Sequence, residues 1–462
     1  MEENKTTERR LKERKLKGNK QKENKQKGNK LKECKLKTFL VLWSTQSLSQ
    51  LGSAMTNFAL TLWLYQKTGS ALQTALLSIC SYAPYVLMSI FAGALSDRWN
   101  KKKIMLVSDS FAACSTIAVL ILLKTGLLRP IHLYVLNAVS GLMNTIQQPA
   151  SDVAMTLITP KEQYQKTSGL RSLSQSVVTV LHPMLATALF AAGGMDTVIL
   201  VDLTTFAIAF LTLLFFVKIP GICDGRTERK SASESESLFS AAKAGLLYLR
   251  KNPMILYLIF FLAGVNLVAS AFDATLPAYV LPRENGGEAV LGLVTSCAGI
   301  ATLIGSLIVT VLPKPNNRIR VITGTMLFSL TIENFLLAFT RIPGLWCMGQ
   351  FFGWMVVPVM NANLDVILRT TIPVDMQGRV YSCRNTLQFF TIPVGFFLGG
   401  LLVDQVFEPI MARVQAASWL AVLFGSGKGS GAAIMMFVLG LSGAVICIVF
   451  ARILKKYQFR EE

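Results

Sequence analysis

Twelve apolar stretches of about 20 residues follow one another along this chain, and each is long enough to cross the ~30 Å hydrocarbon core of a bilayer. They lie at 38–65, 74–96, 103–123, 131–156, 167–192, 196–218, 253–281, 289–312, 319–340, 344–367, 380–404 and 430–454. Lipid offers no partner for an exposed peptide group, so such stretches must be helices that satisfy their own backbone. Composition agrees: hydrophobic residues are 52% of the 462 and charged residues only 16%. A soluble protein of this size carries a charged coat of roughly 25%. The expected fold class is an all-α membrane protein of twelve transmembrane helices.

The net charge of +20 is concentrated at one end, where residues 1–37 hold 15 Lys/Arg against 6 Glu. This tail runs as pentapeptides, from Lys12-Glu-Arg-Lys-Leu to Lys32-Glu-Cys-Lys-Leu. A period of five matches no helix face, so the tail reads as low-complexity chain. Beside a first membrane helix its charge fits the anionic cytoplasmic leaflet rather than nucleic acid. The even span count and the excess of Lys/Arg in alternate loops put both termini in the cytoplasm. The expected division is a basic tail 1–37, a six-helix bundle 38–218, a linker 219–252 ending in an interfacial helix, a second bundle 253–454 and a cytoplasmic tail 455–462.

The halves repeat. Asp152-Val lies eight residues before Pro160, and Asp365-Val lies eight before Pro373; Pro183 and Pro393 follow in turn. The two series are about 213 residues apart and fall at equivalent junctions. Two same-sense repeats of six helices are a plan of secondary transporters, with the site at the midplane between them. No phosphate loop, His-Glu-x-x-His or nucleophile triad is present, so neither an enzyme nor an ATP-driven pump is expected. The eight cysteines are scattered and the histidines are only two; no cofactor and no metal is expected.

The segment Gly93-Ala-Leu-Ser-Asp97-Arg98-Trp-Asn-Lys101-Lys102-Lys103, between the second and third spans, resembles the major facilitator signature G-x-L-x-D-R-x-x-R-[KR]. Gly93 permits close helix approach, Asp97 suits the positive N-terminus of the eleventh span, and Arg98 holds the loop inside. The second-half counterpart, Gly305-Ser-Leu with Lys314, Arg318 and Arg320, lacks the Asp. Further stretches are similar to the macrolide-efflux branch of drug/proton antiporters, which also contains siderophore exporters. They are Tyr65-Gln-Lys-Thr-Gly-Ser-Ala, Ala83-Pro84-Tyr85, Lys102-Lys-Ile-Met with Asp109, Gln148-Pro-Ala, Ile158-Thr-Pro160, Lys218-Ile-Pro and Val406-Phe-Glu-Pro. The chain departs from that branch in the fourth span, where Asn137 stands four residues before Gly141 in place of the Arg of R-x-x-x-G.

Ionisable residues inside spans are costly and mark function by default. Asp273, in a span the family fold places beside the cavity, is the first choice for a carboxylate that alternates between proton and substrate. The competing reading is a paired or outer-water position. Glu333 is expected to make a structural interhelical hydrogen bond, and Asp109 to brace the signature loop. Asp202 lies near an outer end. Asp365 and Arg369 have i,i+4 spacing. Arg171 and Arg384 pair with Asp152 or Asp365 as a gate, or simply snorkel. Amides in lipid cost free energy, so Gln46, Gln50, Asn57, Asn137, Asn144, Gln148, Asn266, Asn361 and Gln388 are expected to line a cavity. An amide-lined, weakly charged cavity suits a bulky amphiphile. The expectation is a monomeric exporter of macrolide-like drugs in a bacterial cell membrane, working on a small-molecule substrate with protons as the coupling ion. The alternatives are a siderophore or lysophospholipid transporter, or a non-transporting sensor or scaffold.

Overall fold

The computed structural model describes residues 36–160, 163–217, 238–415 and 418–456. Within these, the side chains of 89–98, 165, 166, 168, 238–242, 374, 375, 377, 378 and 382 lie outside the description, and with them those of Gly93, Asp97 and Arg98. Residues 1–35 of the basic tail lie outside it as well. The described residues form helices and connecting turns, with no strand among them. Nine helical stretches there are long and apolar enough to cross a membrane.

In chain order the helices are α1 (36–68), α2 (Ala71–Arg98), α3 (Lys101–Lys124), α4 (Pro130–Ile158) and α5 (Tyr164–Leu211). After the linker come α6 (Leu238–Lys251), α7 (Pro253–Val280), α8 (Glu288–Val311), α9 (Arg318–Phe339), α10 (Pro343–Met355) and α11 (Val357–Thr371). The last are α12 (Val374–Phe389), α13 (Thr391–Leu402), α14 (Glu408–Ala412), α15 (Trp419–Phe424) and α16 (Ser430–Leu454). Local chemistry sets the starts. Ser70 caps α2 by accepting from the Gln73 amide, Asn100 caps α3 through Lys102 and Lys103, and Asn317 caps α9 through Arg320. Proline, whose missing N–H costs nothing in a first turn, opens α4, α7 and α10.

α5 has 48 residues, which as one straight rod would measure about 72 Å, more than twice the bilayer core. It is broken where Gly193 and Gly194 leave helical geometry, Gly194 at φ +68°, a conformation that glycine adopts without penalty. The contacts of α3 show that the chain reverses there. Lys124, at the end of α3, pairs with Asp196 just after the break. Lys102, at its start, donates to the carbonyls of Leu214 and Val217 at 3.0 and 2.8 Å. The second limb is therefore antiparallel to α3, while the first begins beside Asp152 at the end of α4. Sequence spans 167–192 and 196–218 correspond to the two limbs.

Apolar residues separate into distinct cores. One, around Met55, Leu64, Leu133 and Ile199, lies among α1, α4 and α5; a larger one, around Phe261, Tyr279, Leu337, Trp346 and Met436, lies among α7, α9, α10 and α16. α7 is the central element of the larger core, with an almost unbroken run of buried residues from Ser270 to Val280. The two groups of helices meet where α2 packs on α13 and α5 packs on α8. Small residues allow the approach: a Cβ on Gly400 would stand 2.6 Å from the Leu72 Cα, and one on Gly292 2.8 Å from Thr187. Close backbone contact through glycine is how helices associate where no hydrophobic drive exists between them.

Candidate functional site: the cleft between the two helix groups

One end of the α2–α13 and α5–α8 contacts is closed. Asp404, in the π-helical turn Val403–Phe407 after α13, caps the start of α2 from across the interface. Its carboxylate accepts from the Ser70 hydroxyl at 2.6 Å and from the Ala71 and Leu72 amides at 3.0 and 2.9 Å. An anion at a helix N-terminus answers both its unpaired N–H groups and its positive dipole. Gln66 donates to Glu288 beside it, again between the two groups. Glu408 in turn accepts from the amides of Gly429 and Ala432 at 3.0 and 3.2 Å, tying the turn after α13 to α16.

Toward the opposite end the cleft opens. Gln50, Ser53 and Asn57 on α1, Asn144 and Gln148 on α4, and Asn361 on α11 are all exposed. On α1 and α4 these residues recur every three or four positions, so each set forms a stripe on one helix face. Amides in this part of a membrane bundle require water or polar partners, which makes the stripes the walls of a wet cleft.

Asp273 follows on α7 where the two groups meet: its neighbour Ala274 packs with Ala75 of α2 and Phe396 of α13. Asp273 is exposed although Ser270–Phe272 before it and Ala274–Val280 after it are all buried. Tyr82 on α2, across the interface, and Glu333 on α9, deeper in the second group, are its ionisable neighbours. Tyr82 is 46% exposed and stacks on Phe396 of α13 with centroids 6.1 Å apart. Tyr85 and Phe389 make a second aromatic contact across the same interface, also at 6.1 Å.

The remaining carboxylates have other neighbours. Glu333 is buried and accepts from the Trp354 indole N–H at 3.0 Å, with Gly353 of α10 packed against its stem. Asp202 is buried, accepts from the Ser53 hydroxyl at 3.1 Å, and lies under Gly52 of α1. Asp109 accepts from Gln147 of α4 at 2.6 Å and stands beside Gln46. It therefore joins α3 to α4 within the first helix group; its expected bracing of the signature loop falls on side chains, 93–98, that lie outside the description. Gln147 is correspondingly taken up by Asp109.

Two related pairs lie at the open end. Arg171 pairs with Asp152. Arg384 lies within charge range of Asp365 and donates to Gln388 at 3.0 Å; each pair is 213 residues from the other. Asp365 also meets Arg369 at 3.8 Å. Several amides serve packing. Asn137 donates to the Leu133 carbonyl of its own helix, and Asn266 donates to the Gln388 carbonyl at 3.3 Å, fixing α7 to α12. Gln388 is buried.

Sequence reasoning missed Asp404 and Tyr82. Asp404 was legible only as an acid closing an apolar run studded with Gly395, Gly399 and Gly400. Tyr82 looked like any aromatic in a span.

The family model of the Major Facilitator Superfamily matches residues 42–312. Macrolide efflux protein A of Streptococcus pyogenes is 24% identical over 377 residues, covering 80% of this chain and 90% of its own. Multidrug efflux pump Tap of Mycolicibacterium fortuitum is 23% identical, covering 76% and 86%. Among solved structures, a bacterial homologue of the human lysosomal transporter Spinster superposes with a TM-score of 0.65 at 15% identity, over 93% of this chain and all of that one. A bacterial homologue of the iron transporter ferroportin gives 0.63 at 15%, over 90% and 99%. With that family match over more than half its length, a multi-pass helical fold and a wet cleft between two helix groups, the chain belongs to the Major Facilitator Superfamily of membrane transporters.

Proposed function

We propose that the protein is a proton-coupled exporter of bulky amphiphilic compounds, working by alternating access of two six-helix halves, 38–218 and 253–454, within one chain. The observation that carries this reading is Asp273: a carboxylate open to the cleft on an otherwise buried stretch of α7, beside the stacked Tyr82 and Phe396. A charge set among the buried apolar residues of α7 is costly even with one side open to a wet cleft. Such a carboxylate is stabilised by a proton or by a positively charged cargo, and the two compete for it. The aromatic pairs supply apolar surface for the rest of a large molecule. Efflux of macrolides and of several drugs is what two relatives are named for.

In this reading the Ser70 end faces outward and both termini are cytoplasmic, with twelve crossings. The Asp404 cap and the Gln66–Glu288 contact then hold the outer side shut, and the cleft is open to the cytoplasm, where cargo enters. Opening outward requires that the Asp404 contacts break and that the cytoplasmic ends close, bringing the Asp152–Arg171 and Asp365–Arg384 regions toward each other. Proton arrival from outside releases the cargo and resets Asp273.

The test compares Asp273→Asn and Glu333→Gln with the parent in proteoliposomes under an imposed pH gradient. Asp273→Asn should lose accumulation of substrate against its gradient while retaining downhill movement. Glu333→Gln should accumulate substrate, since its Trp354 bond survives in the amide. Parental accumulation in Asp273→Asn would remove Asp273 from coupling.

A further inference from the structure

Away from the cleft, the start of α9 and the end of α16 enclose a groove of about 380 Å³ on the outside of the second helix group. Its floor is apolar, formed by Leu327, Cys447, Ile448 and Ala451, and its rim carries Arg320, Arg452 and Lys455. Lys456 continues the rim, with Arg452, toward Tyr257 of α7. All four basic residues are exposed, and among the described residues no carboxylate pairs with any of them. This contrasts with Lys124, Arg171 and Arg369, each of which has an acid beside it. The groove is open beside Gly324, where a Cβ built on the backbone meets nothing within 4 Å.

Position sets the kind of ligand. The four cations lie at the membrane-surface ends of two spanning helices, and the apolar floor runs from them into the depth of the bilayer. A water-soluble anion would use the rim and leave the floor uncovered. A neutral lipid would cover the floor and leave four like charges without a counter-charge. An anionic phospholipid uses both, with its phosphate among the guanidinium and ammonium groups and an acyl chain along Leu327 and Ile448. Basic pockets between membrane helices bind such headgroups, with about 1 kcal/mol for each Lys or Arg near the surface.

We infer that the α9–α16 groove is a binding site for one anionic phospholipid of the leaflet that borders the Arg320 end, which is the inner leaflet in the orientation proposed above. The site is independent of the transport cleft and of the coupling reading. A lipid seated there would bridge α9 and α16, so its loss should loosen the second helix group.

The purified full-length transporter is delipidated and offered phosphatidylglycerol or phosphatidylcholine. Retained lipid is counted by native mass spectrometry, and thermal unfolding is followed in parallel. The parent should retain one phosphatidylglycerol in preference to phosphatidylcholine and melt at a higher temperature with it. Arg320→Gln with Arg452→Gln should weaken retention about 30-fold, from two charges at the value above. Gly324→Leu keeps every charge and fills the groove, and should abolish the preference as well. Equal retention of both lipids by the parent would overturn the site. So would phosphatidylglycerol retention in a folded Gly324→Leu protein, which would mark diffuse attraction to basic residues. Retention that emerged only after removal of residues 457–462 would assign the groove to the chain's own acidic end, and would likewise overturn the lipid site.

Discussion

Replacing Asp404 with Ala should shift the transporter toward a form open at the Ser70 end, the outward-open form in the orientation proposed above. Asp404 makes three hydrogen bonds to the first turn of α2, from the Ser70 hydroxyl at 2.6 Å and the Ala71 and Leu72 amides at 3.0 and 2.9 Å. A bond to a charged group contributes about 1.5–3 kcal/mol when its partners would otherwise stay unpaired. Here the opened state exposes both sides to water, which recovers most of that. The better guide is the worth of an anionic cap at a helix start, about 1–2 kcal/mol. A loss of about 2 kcal/mol multiplies the open-to-closed ratio roughly 30-fold. Spin labels on Lys67 and Glu284, both exposed at this end and in opposite helix groups, report the opening as a distance distribution in pulsed electron resonance. The long-distance population should be minor in the parent and dominant in Asp404→Ala, with Asp404→Asn between them because it keeps an acceptor and loses the charge. Identical distributions in parent and Ala variant would refute the view that this cap holds the outer side closed.

Other expectations follow from the same contacts and from the signature segment. Asp97→Asn should impair transport without loss of membrane insertion, read as transport rate against the amount of inserted protein; unchanged kinetics would remove Asp97 from the mechanism. Ser53→Ala takes away a hydrogen-bond donor to the buried Asp202 and should destabilise the first helix group by about 1–2 kcal/mol, seen as a lower melting temperature in detergent. Deleting residues 2–36 should leave transport intact, because the repeat has no helical period and the later loops retain their basic bias; an inserted but inactive truncation would give the tail a role in transport.

The helices were legible because length and apolarity dominate in lipid, and no competing structure satisfies the backbone there. Even the reversal at Gly193–Gly194 is visible as the gap between spans ending at 192 and beginning at 196. Carboxylates were harder. Asp273 could be singled out as an acid in an apolar run, but its exposure depends on α2 and α13, brought alongside by folding. Asp109 lies close in sequence to the signature loop, yet its partner Gln147 is on the next helix, 38 positions away. A carboxylate takes the nearest donor in space, and a single sequence does not rank donors by distance. Asp404 is the clearest case: its partners lie more than 330 positions earlier in the chain, and nothing local distinguishes it from an acid at a span end.

The central claim is tested most directly by proton movement that depends on cargo. Everted membrane vesicles containing the transporter are loaded with acid inside, and a pH-sensitive dye follows the gradient as members of a panel of bulky amphiphiles, macrolides included, are added outside. The account predicts that at least one such compound discharges the gradient while accumulating in the vesicles, and that Asp273→Asn abolishes the discharge. Accumulation of the compound with the proton gradient untouched, in parent and variant alike, would contradict proton-coupled export.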